Sequence, residues 1–138
     1  MRAEEIGDKN KEHLFGVGLS AANQIKYIEL ISLGSIDKSV VDNADILRFA
    51  IIKNCERFIL AHNHSPNDSA PSEADIQVTL DVGMGAFATN ITLVDHIIVT
   101  ESEYYSFAEN KQIYDYRDVY KLFNKMSTDR ILKKSDIN

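Results

Sequence analysis

Hydrophobic and polar positions alternate in blocks along this chain, and the period of the blocks changes several times. Met1 to Lys11 is polar apart from Ile6, which fits a frayed terminus or a short leading helix. Two β-like runs follow, Leu14 to Leu19 and Ile25 to Leu33, separated by Ser20-Ala21-Ala22-Asn23-Gln24, the composition of a hairpin loop. The second run is apolar on both faces: Tyr27, Glu29, Ile31 and Leu33 share one side, Ile28 and Leu30 the other. Glu29 is therefore a carboxylate in a strand that otherwise reads as buried. A buried carboxylate needs a cation, a hydrogen-bond donor or a function, and a solvated position on an edge strand would satisfy it equally well.

Asp42 to Asn54 then carries Ile46, Leu47, Ala50 and Ile51 at helical spacing, with Asp42 or Asn43 as N-cap. Arg57 to Ala61 reads as a short buried strand, and Glu73 to about Ala88 as a helix weakened by Gly83 and Gly85. Ile91 to Thr100 is a long β run interrupted by Asp95 and His96, and Tyr104 to Phe107 a short final strand. From Tyr116 onward Val119, Tyr120, Phe123 and Met126 recur at helical spacing. They predict an amphipathic C-terminal helix covering the sheet or a partner subunit, which leaves a homodimer open, before a polar tail from Ser127 to Asn138. Strands alternating with helices point to an α/β fold, a sheet with helices packed on its faces.

The chain of 138 residues with 44% hydrophobic content suits one globular core and is too short for two ordinary domains. No run is long and apolar enough to cross a membrane, and the start lacks the apolar core of a signal peptide, so a cytoplasmic protein with no membrane partner is expected. The single cysteine, Cys55, has no partner for a disulfide or a cysteine zinc site and reads as a small, half-buried residue before a strand. Fifteen Lys plus Arg against twenty-one Asp plus Glu give a net charge of −6, which argues against nucleic acid as an autonomous partner. Arg130 and Lys133-Lys134 form at most a local basic patch in a solvated tail.

The chemistry concentrates between Ala61 and Asp75. If the strand before His62 continues, His62 and His64 project side by side from one face and can share one cation. A turn through Ser65 to Ala70 and a helix start at Pro71-Ser72 would return the Asp75 carboxylate toward them. Two imidazoles and a carboxylate are a common catalytic zinc set with water in the fourth position, and they also suit non-haem iron. The same letters are met by two ordinary polar histidines at a strand end and a Ser72–Asp75 capping box.

The full spacing, His62-x-His64, seven residues, Ser72, two residues, Asp75, closely resembles the JAMM motif of JAB/MPN+ metalloproteases. Within them it resembles the RadC-like branch, whose usual string is His-Asn-His-Pro-Ser-Gly followed by Pro-Ser-x-x-Asp. Here Ser65-Pro66-Asn67-Asp68 stands where Pro-Ser-Gly-Asp is usual, and Asn67 tolerates the left-handed backbone a tight turn needs. The resemblance spans about residues 12 to 108. It implies a mixed sheet with flanking helices, the JAB/MPN (cytidine-deaminase-like) architecture, as one domain over 7–113, with 114–138 an appended helix and tail.

By the same resemblance His62, His64 and Asp75 would hold one Zn²⁺ per chain with water as fourth ligand, and Ser72 would donate to an oxyanion. Glu29, a few residues before the pair Gly34-Ser35, takes the place of the catalytic base, while Glu4, Glu5 and Glu12 precede the first strand and do not match it. Asp95-His96 matches an Asp-His pair of the family, either a satisfied histidine in a sheet or a residue that orients a ligand imidazole. The implied activity is zinc-dependent hydrolysis of peptide or isopeptide amide bonds in a peptide or protein substrate. A non-catalytic, metal-retaining module, DNA-associated or protein-binding and linked to DNA repair, is the alternative. The acidic balance argues against autonomous DNA binding, as does the lack of the helical N-terminal region that full-length RadC proteins carry. The adjacent letters His-Asn-His do not make a nuclease, since in nucleases of that name the three residues are dispersed over a larger motif.

Overall fold

A computed structural model describes residues 12–33, 42–64, 68–118, 121, 122 and 124–126. The readings for Met1 to Lys11, Gly34-Ser35, Ser65-Pro66-Asn67, Val119, Tyr120, Phe123 and Ser127 to Asn138 lie outside these residues. Strands β1 (His13–Leu19) and β2 (Ile25–Leu33) form the expected hairpin. Its loop is tied by Ser20 Oγ, which accepts from the Ala22 and Gln24 N–H groups, and Asn23 takes a positive φ of 62° there. Helix α1 (Asn43–Ile52) starts on Asp42, whose carboxylate accepts from the Ala44 N–H. Strand β3 (Arg57–Asn63), helix α2 (Glu73–Ala88), strand β4 (Thr92–Val99) and short strand β5 (Tyr104–Ser106) follow.

The five strands make one mixed sheet in the order β2-β1-β3-β4-β5. β3 lies in the middle, antiparallel to β1 and parallel to β4, and α2 is the crossover that a parallel pair requires. Both helices pack on the face that carries Leu14, Phe58 and Leu60, where Ile46, Phe49 and Ala50 of α1 meet Val78, Val82 and Ala86 of α2 in one apolar cluster. That arrangement sets the start of α2 beside the end of β3. Cys55 is fully rather than half buried, just before β3.

β2 departs from its sequence pattern. It is an edge strand, with Ile25, Tyr27, Ile28, Leu30 and Leu33 all substantially exposed. An apolar run reads the same whether or not its faces are covered, so periodicity could not tell the two cases apart.

The C-terminal region is helical at 116–118, 121–122 and 124–126. Tyr116 is buried against α2, its hydroxyl donating to the Thr79 carbonyl at 3.4 Å. Gly83 makes this possible, because a Cβ there would lie 2.6 Å from Tyr116 Cζ. Gly83→Ala should gain ~0.5–1 kcal/mol of helix propensity but lose ~1–3 kcal/mol by overpacking. A lower urea midpoint is the expected net result. A higher one would show that Tyr116 is not held against this helix.

Candidate metal centre

His62 is the penultimate residue of β3, and His64 lies one residue beyond the strand with its N–H still donating to Val99 O at 3.2 Å, so the alternation of the strand carries through both. Their rings lie edge to face, 4.8 Å apart. Asp75 reaches them from the first turn of α2. Ser72 is the N-cap: its Oγ accepts from the Asp75 N–H at 3.1 Å, and its own N–H donates to Asp75 Oδ2 at 2.7 Å. The capping box and the carboxylate's approach to the histidines are therefore compatible. Asp75 Oδ1 lies 3.2 Å from His62 Nε2 and Oδ2 lies 3.0 Å from His64 Nε2.

The candidate ligand atoms of the three residues lie within 4.8 Å of one another. For bonds of ~2.0–2.2 Å a tetrahedral site has edges of about 3.3–3.6 Å, so only a small adjustment is needed to enclose an ion. The fit rests on more than spacing. His62 Nε2 and Asp75 Oδ1 are both buried and face each other, yet neither makes a hydrogen bond. A cation between them supplies the missing partner of both.

Behind His62 a second line of polar groups runs into the protein. His62 Nδ1 lies 2.7 Å from His96 Nε2, and His96 Nδ1 lies 2.6 Å from Thr79 Oγ1. Thr79 Oγ1 in turn donates to the Asp75 carbonyl at 2.8 Å. The returning limb of the loop is held separately, by Ser69 donating from N and Oγ to Glu103 Oε1 at 3.1 and 3.0 Å.

The family model described as RadC-like JAB domain matches residues 1–112. The chain belongs to this family. It is 36% identical over 108 residues to a UPF0758 protein of Chlorobium phaeovibrioides, an alignment covering 78% of this chain and 48% of the relative. It is likewise 36% identical over 110 residues to a UPF0758 protein of Streptococcus uberis, covering 80% of this chain and 49% of the relative. The chain thus spans about half the length of the curated relatives it matches.

In this RadC-like JAB domain the structure brings His62, His64, Asp75 and Ser72 together and leaves Glu29 apart. β1 lies between β2 and β3, and Glu29 is opposite Gly16, which is opposite Leu60. Glu29 is therefore two strand spacings from β3, roughly 9–10 Å, and its level on β3 is four residues short of His64, roughly a further 13 Å. Its carboxylate is 46% exposed and lies 3.9 Å from Lys53 Nζ. The fold gives it the solvated edge position.

Among the described residues, a second carboxylate besides Asp75, that of Glu12, is set opposite His64 by register. Carrying the β1–β3 register outward from Leu14↔His62 sets His13 opposite Asn63 and Glu12 opposite His64, and the His13 N–H does donate to Asn63 Oδ1. Directly opposed residues share a face with Cβ atoms ~4.5–5.5 Å apart. Glu12 is half-buried, and its charge is among those acting on His64. Asp95, read with His96 as a pair that can orient a ligand imidazole, has its carboxylate engaged elsewhere. It accepts from Ser106 Oγ and from the Ala108 and His96 N–H groups, and so staples β4 to the β5 turn while its neighbour His96 touches His62.

The hydrogen bond to Asp75 raises the His64 imidazole above its usual 6.5, against the effect of burial, with Asp75 and Glu12 charges adding to it. Burial alone would raise Asp75, but the His64 imidazole and the Ser72 N–H on Oδ2 oppose it, and the carboxyl is held well below the usual range. The raised His64 holds a proton more readily, on the ring nitrogen a cation would use. Zinc affinity should fall about tenfold per pH unit once the solution is more acidic than the raised His64 value, because the ligand must first lose its proton. Titration calorimetry in buffers of differing ionisation enthalpy checks this. Uptake with no proton release in that acidic range would refute it.

Among the described residues no helix is long and apolar enough to cross a membrane.

Proposed function

We propose that this RadC-like JAB domain is a zinc-dependent hydrolase of peptide or isopeptide amide bonds. The observation that carries the reading is the pair of buried, unpartnered atoms, His62 Nε2 and Asp75 Oδ1, with His64 converging on the same carboxylate. His62, His64 and Asp75 hold the ion, which supplies Lewis acidity toward water and toward a scissile carbonyl.

The remaining roles belong to the chain itself. Glu12, opposite His64 across the β1–β3 pair, is the general base: it takes a proton from the attacking water and delivers it to the leaving nitrogen. Ser72 is the oxyanion donor. Its cap uses a lone pair of Oγ to accept from the Asp75 N–H and leaves the hydroxyl proton to donate, so one hydroxyl serves both purposes. Since an amide nitrogen leaves only when protonated, a base that can return its proton suits this reaction class.

The test is elemental analysis of the purified protein followed by digestion of a mixed peptide and isopeptide-linked library. The expected outcome is zinc near one equivalent per chain and cleavage that stops on chelation and returns with added zinc. Zinc-loaded protein that cleaves no amide in the library would instead favour the non-catalytic, metal-retaining module. Protein that takes up no zinc would remove the metal reading.

A further inference from the structure

The three polar contacts behind His62, together with the approach of its Nε2 to the Asp75 carboxylate, form a closed circuit that begins and ends on Asp75. From the Asp75 backbone carbonyl it passes through Thr79, His96 and His62, and it returns to the Asp75 carboxylate. Every member is buried: Asp75, Thr79, His96 and His62 are each no more than 1% exposed. The face of His96 is stacked on Phe107, with centroids 4.7 Å apart and planes 9° from parallel, so packing sets the orientation of the ring.

Hydrogen counting gives the circuit one direction. A carbonyl oxygen can only accept, so the single proton of the Thr79 hydroxyl is committed to Asp75 O. Thr79 Oγ1 must then accept from His96 Nδ1–H, because at 2.6 Å one of the two atoms must carry a proton. Among the described residues no carboxylate is hydrogen-bonded to the His96 ring, and a buried, unpaired imidazolium is costly, so its Nε2 keeps a lone pair. That lone pair accepts from His62 Nδ1–H at 2.7 Å. The tautomer of His62 follows. Its neutral ring has its proton on Nδ1 and its lone pair on Nε2, the nitrogen that faces Asp75.

We propose that Thr79 and His96 are positioning residues of the metal centre, a one-way hydrogen-bond relay that holds His62 in the Nδ1–H tautomer with Nε2 open to a cation. This rests on the metal reading above and deepens it. A ligand imidazole is usually oriented by a carboxylate, a carbonyl or water on its other nitrogen. Here a second imidazole does that, and its direction is set by one hydroxyl. The relay is anchored on the backbone of the residue that supplies the carboxylate, so the helix turn that carries Asp75 also fixes the proton on His62.

The experiment compares the wild-type chain with Thr79→Val and Thr79→Ser. Zinc affinity is read by competition with a chromogenic chelator, and the His62 tautomer by long-range ¹⁵N–¹H NMR of the metal-free protein. The expected result is an Nδ1–H tautomer in the wild type, a mixture of tautomers and ~10–100-fold weaker zinc in Thr79→Val, and recovery of both in Thr79→Ser. An Nε2–H tautomer in the wild type overturns the relay without any variant, so the test survives a valine variant that fails to fold. Weaker zinc in Thr79→Val with the tautomer unchanged, or with no recovery in Thr79→Ser, also overturns it, because packing alone would then explain the loss. Thr79→Val with wild-type affinity overturns it as well. Wild-type protein that takes no zinc while showing the Nδ1–H tautomer overturns the metal reading and, with it, the relay's purpose.

Discussion

Glu12→Gln is expected to lower kcat by ~10²–10⁴, the usual worth of a positioned proton-transfer group, while zinc content stays at the wild-type level. The replacement keeps the shape of the side chain and its place opposite His64 but removes the basic oxygen. Glu29→Gln is the control, and it should turn over like the wild type, because the fold sets Glu29 beside Lys53 on the edge strand, two strands from the histidines. The comparison is made on an amide substrate recovered from the library digestion, with zinc measured on the same samples. A large loss in Glu29→Gln with Glu12→Gln unaffected would reverse the assignment. Loss of zinc in a folded Glu12→Gln protein would make Glu12 a ligand rather than a base.

The contrast between these two glutamates shows what the sequence could and could not convey. The candidate metal site was legible because its geometry is local. Strand alternation places His62 with His64, and Ser72 fixes where α2 begins and hence where Asp75 sits. Each of those facts spans only a few residues. The proposed base is different, since which glutamate meets His64 depends on which strand pairs with β3 and in what register, and neither is written in the periodicity of β1 or β2. The resemblance gave the place of the base to Glu29 on β2, whereas the β1–β3 register sets Glu12 opposite His64.

Thr79 was missed for a related reason. It lies four residues after Asp75 and so on the same face of α2, which is a readable signal, but a buried threonine acquires meaning only once β4 brings His96 against it. The pair Asp95-His96 likewise divided in a way that strand alternation explains. Neighbouring residues point to opposite faces, so His96 turns to His62 and Asp95 to the β5 turn. The element order was recovered well, because caps, turn residues and apolar stripes agree at nearly every boundary. The exposure of β2 was not, because an apolar strand carries no mark of being at an edge.

Asp75→Asn separates the cap of α2 from the proposed ligation, and is expected to abolish zinc binding while leaving α2 intact. An asparagine oxygen can still accept from the Ser72 N–H, and the Ser72 Oγ that accepts from the backbone of residue 75 is untouched, so the helix start persists. The negative charge between the two imidazoles is gone, and the loss of affinity should exceed the ~10–100-fold that altering a supporting residue costs. Elemental analysis after dialysis, beside a thermal melt, reads both effects.

The metal-free proteins give an independent check through pH. Asp75 is depressed below its unfolded value of 3.8, so its contribution to stability is present above that value and is lost as pH falls through the folded one. His64 is raised above 6.5, so its contribution is full below that value and is lost as pH rises through the folded one. Both are present together between 3.8 and 6.5. The stability advantage of metal-free wild type over Asp75→Asn should therefore be largest inside that window and shrink on either side. A difference that does not vary with pH would mean that the carboxylate and His64 are not coupled, and an Asp75→Asn protein that keeps its zinc would remove Asp75 from the ligand set.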